Sequence, residues 1–337
     1  MKIFLDVMYD DTKNARKIKS CDYNHEGKYP IIDQSSKNVI GYTDEIDGLY
    51  NDVPVIIFGD HTRRFKLVEE PFFIGADGTK VLKLRSSVYD YKFIYYYLLH
   101  KKIPDTGYNR HFKWVKELEF PEIPRSKQSD IVKKLEVLND LISSKNKLLE
   151  SFDILIKSRF VELFGDVVLN TLNWPLVKLS DIAEYRIGLT YKPDAISSSG
   201  TAVLRSGNIQ NSQLCYEDII YVNSKVEPKL LLKNHDILMC ARNGSQSLVG
   251  KVALIENDIS NTTYGAFMIA ISSKYYVYLF EYFRSQAFRR LISVGSTTTI
   301  NQVTTRMLNS IVIPLPDLET INRFALYHSQ INKLKFA

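Results

Sequence analysis

Ser126–Phe164, SKQSDIVKKLEVLNDLISSKNKLLESFDILIKSRFVELF, contains neither proline nor glycine. Its apolar residues recur at alternating steps of four and three: Ile131, Leu135, Leu138, Ile142, Leu149, Phe152, Ile156 and Leu163, with Lys145 and Arg159 interrupting the series. That spacing lays one apolar stripe along an α-helix and suits a coiled-coil partner. These 39 residues, at about 1.5 Å each, make a rod of roughly 58 Å, longer than an ordinary domain helix. Lys133, Lys134, Glu136, Lys145, Lys147 and Glu150 cover its other faces. The stretch is read as a spacer with a partner-binding stripe; the plainer alternative is a linker helix packed on one domain.

The spacer reading rests on what flanks the helix. On its N-terminal side the chain reads as α+β. Tyr29–Asp33 is a short strand, Val55–Asp60 is apolar enough for a buried one, and Lys80–Leu84 alternates as a half-buried one. Asp90–Lys101 is helical, with Phe93, Ile94, Tyr97 and Leu98 on one side; Tyr95–Tyr97 is read as core packing. A polar loop, Asp105–His111, leads to the prolines Pro121 and Pro124, which close one element before the long helix opens.

Beyond the helix, with Gly165 as its C-terminal stop, the same order returns. Val203–Ser206 stands where Ile31–Gln34 stood, His235–Arg242 matches Val55–Thr62, and Thr263–Ala270 matches the segment around Gly75. The aromatic helix at Val277–Phe283 and the polar loop Gly295–Gln302 follow, and prolines again end the unit at Pro314 and Pro316. Pro121 and Pro314 lie 193 residues apart, and that shift carries Ile131 onto Phe324, Leu138 onto Ile331 and Leu141 onto Leu334. A second helix is therefore expected from Glu319, about half as long as the first and packing antiparallel to it. The predicted fold is α+β: two similar globular domains, residues 1–124 and 167–316, separated in sequence by a long coiled-coil-type helix over 125–166, with the start of a second, truncated spacer helix over 317–337.

Bulk properties bound the function. With 337 residues, 45% hydrophobic and 24% charged, the chain can fill two cores. No apolar run approaches the length of a membrane span. The start, Met1–Met8, is short and holds Asp6, so it is not read as a secretory signal. Cys21, Cys215 and Cys240 are isolated, which argues for neither a zinc site nor a disulfide framework and points to a reducing cytoplasm. A net charge of +6 permits nucleic-acid binding without requiring it.

Phe120-Pro121-Glu122-Ile123-Pro124, then Gln128, Ile131, Leu135 and the helix end Lys157–Asp166, resembles the central conserved region of type I restriction-modification specificity subunits. Gly295-Ser296-Thr297 followed by Ile313–Glu319 is similar to that family's exit from its second target recognition domain. The turns Phe58–Thr62 and Gly75–Thr79 are similar to those of one subclass of its domains. The resemblance spans nearly the whole chain. It implies a non-catalytic subunit without a cofactor of its own. Its two recognition domains each read half of a split duplex DNA site, paired helices set the gap, and methyltransferase (modification) and restriction/translocase subunits assemble on it. The short second helix departs from the family pattern and puts full docking of a second methyltransferase subunit in doubt; a second copy of the chain is one way to complete the bundle.

Sequence readout needs paired hydrogen bonds to base edges, chiefly from Arg to guanine and from Asn or Gln to adenine, while phosphates take Lys, Arg and hydroxyls. The loops offer Arg63, Arg64, Asn109, Arg110, His111 and Lys113 in the first domain. In the second they offer Arg205, Asn208, Arg242, Asn243, Thr297, Thr298, Asn301 and Gln302. Each competes with the plain reading of a solvated loop residue.

Two other functional classes stand as alternatives. A stand-alone metal-dependent nuclease would rest on Pro193-Asp194 with Glu227-Pro228-Lys229, but Pro228 falls where the catalytic strand should run. A duplicated-domain scaffold for proteins is the third. Gly244–Lys251 departs from a phosphate loop in having five residues between the glycines and Val252 after the lysine. No Asn or Asp precedes two prolines and an aromatic, the methyltransferase signature, and the histidines are scattered.

Overall fold

Pro124 cannot donate a backbone hydrogen bond, but its carbonyl accepts one from Gln128 N at 3.0 Å and so opens the long helix, which runs Arg125–Phe164 over 40 residues. The Gln128 side chain is fully buried. Its Oε1 accepts from Asp90 N at 2.8 Å, and its Nε2 donates to Val88 O at 2.9 Å and Ile123 O at 2.7 Å. Arg125 pairs with Asp90 at 2.9 Å. The helix start is thus tied to the N-terminus of the helix Tyr91–His100, where the Asp90 carboxylate caps Lys92 N and Phe93 N. At the other end Gly165, at φ +70°, donates to Val161 O at 2.8 Å, the left-handed stop that glycine adopts without strain.

The computed structural model describes residues 1–107, 109–256, 259–294 and 302–335. The chain divides into two compact units, Met1–Lys145 and Asn146–Ala337, the division falling within the long helix.

In the first unit four strands form an antiparallel sheet in the order Met8–Asp10, Thr79–Leu84, Val55–Gly59, Phe65–Val68. A second sheet orders Gly41–Thr43, Tyr29–Ile32 and Phe73–Ile74, the last two parallel, with Ile31 opposite Phe73. Val55–Gly59 is buried along its whole length because both faces are covered. Ile56 and Phe58 pack with Phe93, Ile94, Leu98, Phe112 and Phe120, while Val55 and Ile57 pack with Ile32, Phe72 and Ile74. That is why this strand reads as a continuous apolar run rather than an alternating one.

The second unit repeats the plan. Its antiparallel sheet orders Glu184–Ile187, Met268–Ser272, Ile237–Cys240, Val252–Leu254. Its other sheet places Ile220–Val222 beside Thr201–Leu204, which runs parallel to Thr262–Tyr264. The short strand pairs that close each unit also correspond: Lys2–Ile3 with Glu119–Phe120, and Leu176–Lys178 with Val312–Pro314. The second unit adds a hairpin, Ile209–Gln210 with Gln213–Leu214, and a helix, Gln286–Val294.

Pro316 and Asp317 precede the C-terminal helix Leu318–Lys335. The Asp317 carboxylate accepts from Thr320 N at 2.8 Å, which holds its carboxyl below the ordinary value. Within the second unit this helix runs antiparallel to the C-terminal part of the long helix. Phe324 meets Phe160 and Phe164, with ring centroids 5.6 and 5.3 Å apart, and further along Lys335 reaches Asp153 at 2.7 Å.

The apolar stripe is used unevenly. Ile156 is buried and Phe152 and Leu163 are half-buried, but Phe160 and Phe164, outside the four-three series, carry the densest packing. In the first unit Val132 enters the core, one position from Ile131, which is 36% exposed. Leu135 and Leu149 are half-buried, whereas Leu138 and Ile142 are exposed at 53% and 59%.

Candidate nucleic-acid interface

In each unit three turns and the segment before a short helix converge at one end of the antiparallel sheet. In the first, the buried strand ends in Gly59–Arg64. Arg63 N donates to Gly59 O at 2.7 Å and Gly59 N to Arg64 O at 2.9 Å, with Arg63 in the left-handed region at φ 60°. Gln34 links this turn to the other two. Its Oε1 accepts from His61 N at 3.1 Å, its carbonyl accepts from Thr62 Oγ1 at 2.5 Å, and its Nε2 donates to Asp77 O at 3.0 Å. Gly78, at φ +82°, accepts from Asp60 N at 2.7 Å. Lys66 sits beneath, its Nζ donating to Asp33 O at 2.6 Å and Lys37 O at 2.5 Å; burial pushes its ammonium below the ordinary value.

His111 does not face solvent. It is fully buried, its N and Nδ1 both 2.9 Å from Asp60 O, while the Asp60 carboxylate accepts from Phe112 N at 2.7 Å. The expected DNA contact at His111 is therefore corrected to a brace between the turn and the helix Phe112–Lys116. Arg63 pairs with Asp105 at 2.7 Å, and the Gly107 N–H together with Arg63 holds the Asp105 carboxyl below its ordinary value. Asn109 is exposed, its Nδ2 donating to Thr106 O at 2.5 Å. Arg64, Arg110 and Lys113 are exposed, Lys113 lying 4.8 Å over the Trp114 ring.

The second unit builds the same junction from different side chains. Asn243 Nδ2 donates to Ser206 Oγ at 3.0 Å, joining the turns that His61 and Gln34 join in the first unit. Val303 N donates to Ala241 O at 2.7 Å, as His111 N does to Asp60 O at 2.9 Å. Arg242 faces Gln302 across an isolated antiparallel bridge. Its guanidinium lies 5.2 Å over the ring of Phe267, an exposed aromatic in the turn between the strands Thr262–Tyr264 and Met268–Ser272. Arg205 is exposed, and its Nη2 donates to Asp218 O at 2.9 Å.

Asn208 is buried at 2% exposure. Its Oδ1 accepts from Arg205 N at 2.8 Å and its Nδ2 donates to Cys215 O and Glu217 O, both at 2.9 Å. It therefore fastens the hairpin, and its expected DNA contact is corrected. Thr297, Thr298 and Asn301 lie outside the described residues. Gln34, Ser206 and Phe267 were not among the sequence candidates. For the first two the signal was the alignment of Ile31–Gln34 with Val203–Ser206. For Phe267 it was an apolar ring in a turn beside Gly265.

Pro228 opens a single 3-10 turn, Pro228–Leu230, instead of lying in a strand, and Asp194 is exposed. Among the described residues no three His, Cys, Asp or Glu side chains are placed to hold a metal ion, and no helix is long and apolar enough to cross a membrane.

Residues 172–331 match the family described as the type I restriction modification DNA specificity domain. They belong to it. The chain as a whole resembles type I specificity subunits. It is 22% identical over 350 residues to the type I restriction enzyme MjaVIII specificity subunit of Methanocaldococcus jannaschii, covering 91% of this chain and 80% of that one. It is 25% identical over 154 residues to the type I restriction enzyme StySPI specificity subunit of Salmonella potsdam, covering 43% of this chain and 33% of that one. The S subunit of the type I restriction-modification system from M. genitalium shares the fold, with a TM-score of 0.59 at 17% identity over 99% of this chain and 91% of that one. The matched segment lies in the second unit, and the first unit repeats its four-stranded antiparallel sheet, its parallel strand pair and its closing strand pair, among the described residues without the hairpin and without the edge strand Ile196–Ser197.

Proposed function

We propose that the chain is the sequence-specific DNA-binding subunit of a type I restriction-modification complex. It reads a bipartite duplex site and directs methyltransferase and restriction subunits to it. The observation that carries this is the repeat: a core topology that occurs twice, one copy of which matches the type I restriction modification DNA specificity domain. Each copy gathers exposed cations and amides where three turns converge. In the first these are Arg64, Asn109, Arg110 and Lys113, with the half-buried Arg63 beside them; in the second, Arg205 and Arg242, with the half-buried Asn243 and Gln302. Such groups supply forked contacts to base edges and contacts to phosphate. The recognition domains are taken as residues 1–124 and 167–316. The segment 125–166, with the helix Arg125–Phe164, is the spacer, and the segment 317–337, with the helix Leu318–Lys335, begins its second arm. The exposed stripe around Leu138 and Ile142 is where a methyltransferase subunit docks. The chain performs no chemistry itself and works in the cytoplasm.

The test is selection from a pool of randomised duplexes by the full chain with its methyltransferase subunits, followed by sequencing. Two short preferred words at a fixed separation are expected. Enrichment of no sequence over the starting pool overturns the proposal.

A further inference from the structure

We propose that Phe267, with Arg242 stacked on it, reads the C5 methyl group of a thymine in the half-site bound by the second unit. This rests on the DNA-reading function proposed above and names one further residue for it.

Phe267 is 58% exposed and, among the described residues, joins none of the hydrophobic clusters. Its neighbours Tyr264 and Met268 are fully buried. The ring is therefore not needed to hold its turn. Backbone bonds do that: Phe267 O accepts from Ala241 N at 2.8 Å and Arg242 N at 3.1 Å. Gly265 N donates to Leu204 O, and Met268 N to Gly265 O, both at 2.9 Å. These bonds fix the ring beside the turn that carries Arg242, Asn243 and, across the bridge, Gln302. The Arg242 guanidinium lies 5.2 Å over the ring and enters no ion pair among those found between described residues.

A phenyl ring has no donor or acceptor. At the edge of a base pair it recognises only apolar surface, and in the major groove that is the thymine methyl. An arginine lying on the ring loses less freedom when it presents its donor fork to a neighbouring guanine. The first unit places Asp77 in the corresponding turn, paired with Lys17 at 2.7 Å, so the aromatic reader belongs to one half-site only.

The experiment uses the full-length chain and the duplex selected from the randomised pool. In a series of copies of that duplex, deoxyuridine replaces each thymine in turn, removing one methyl. Wild type is expected to bind about fourfold more weakly at one thymine of one half-site, the size of one lost methyl burial. Phe267→Ala should be indifferent to that replacement, and Phe267→Leu, still apolar, should keep the response. The melting temperature of Phe267→Ala should match wild type. Indifference of wild type to every replacement, a half-site without thymine, or a Phe267→Ala response equal to wild type overturns the inference while leaving DNA reading intact. Failure of wild type to prefer any duplex overturns DNA reading itself.

Discussion

Glu281 lies 4% exposed in the second unit, its Oε1 2.6 Å from Arg284 Nη1 and 3.5 Å from His328 Nε2. Burial alone would raise its carboxyl, but the His328 hydrogen bond and the Arg284 charge outweigh burial and hold it below the ordinary 4.5. A depressed folded value means the contribution is complete above about pH 4.5 and is lost as pH falls through the lower value of the folded state. Glu281→Gln removes one partner of a buried pair and should cost about 3 kcal/mol at neutral pH. Denaturant midpoints would show it, and the difference from wild type should shrink on acidification. A constant difference down to pH 3 would contradict the assignment. At the reading face, Arg110→Ala and Arg242→Ala should each relax one base position in a different half-site, by about 1–3 kcal/mol, measured as enrichment from randomised duplexes. Loss of preference in both halves from either change would contradict independent reading. His111 and Asn208 show why residue type alone misplaces contacts. The groups that read base edges are also those that satisfy buried backbone, and a polar loop in sequence does not reveal which of its members turns inward.

The long helix was legible to within a residue at its start, because proline, glycine and a periodic stripe all bear on its ends. Which parts of the stripe are covered was not legible, since periodicity marks a face and not its partner. Phe160 and Phe164 stand four apart, and Phe160 is within 5.6 Å of both Tyr278 and Phe324 by ring centroid. Phe160→Ala should therefore cost about 3–5 kcal/mol, read as a lower denaturant midpoint at unchanged slope. The exposed part makes the opposite prediction. Leu138→Lys with Ile142→Lys should shift the stability of the chain alone by no more than about 0.5 kcal/mol for each change. The same double variant should lose co-elution with the methyltransferase subunit. Retained assembly would exclude this stripe as the docking face.

Over the whole chain, the duplication was legible from the order of turns and apolar runs at low identity. The reason is physical: the buried strand, the parallel pair and the closing prolines each leave a pattern that survives replacement of the side chains at the junction. Those side chains are what differ, Gln34 and His61 in one unit against Ser206 and Asn243 in the other, so the shared frame predicts binding to one class of partner and the differences predict two words. The net charge of +6 does not set affinity by itself; what matters is how many phosphates are neutralised. If the exposed cations of both units each meet a phosphate or a base, log affinity should fall linearly with log salt, with a slope near −0.9 per phosphate contacted. Lys113 presents a flexible ammonium suited to a phosphate, so Lys113→Ala should weaken specific and random duplexes alike and reduce the salt slope by about 1. Arg242 is held on the ring of Phe267 beside the turn proposed to read bases, so Arg242→Ala should instead narrow the gap between specific and random duplexes. Affinity titrations of both variants on both duplexes at four or five salt concentrations separate the two roles. The same slope change for both variants would mean that Arg242 binds phosphate and reads nothing.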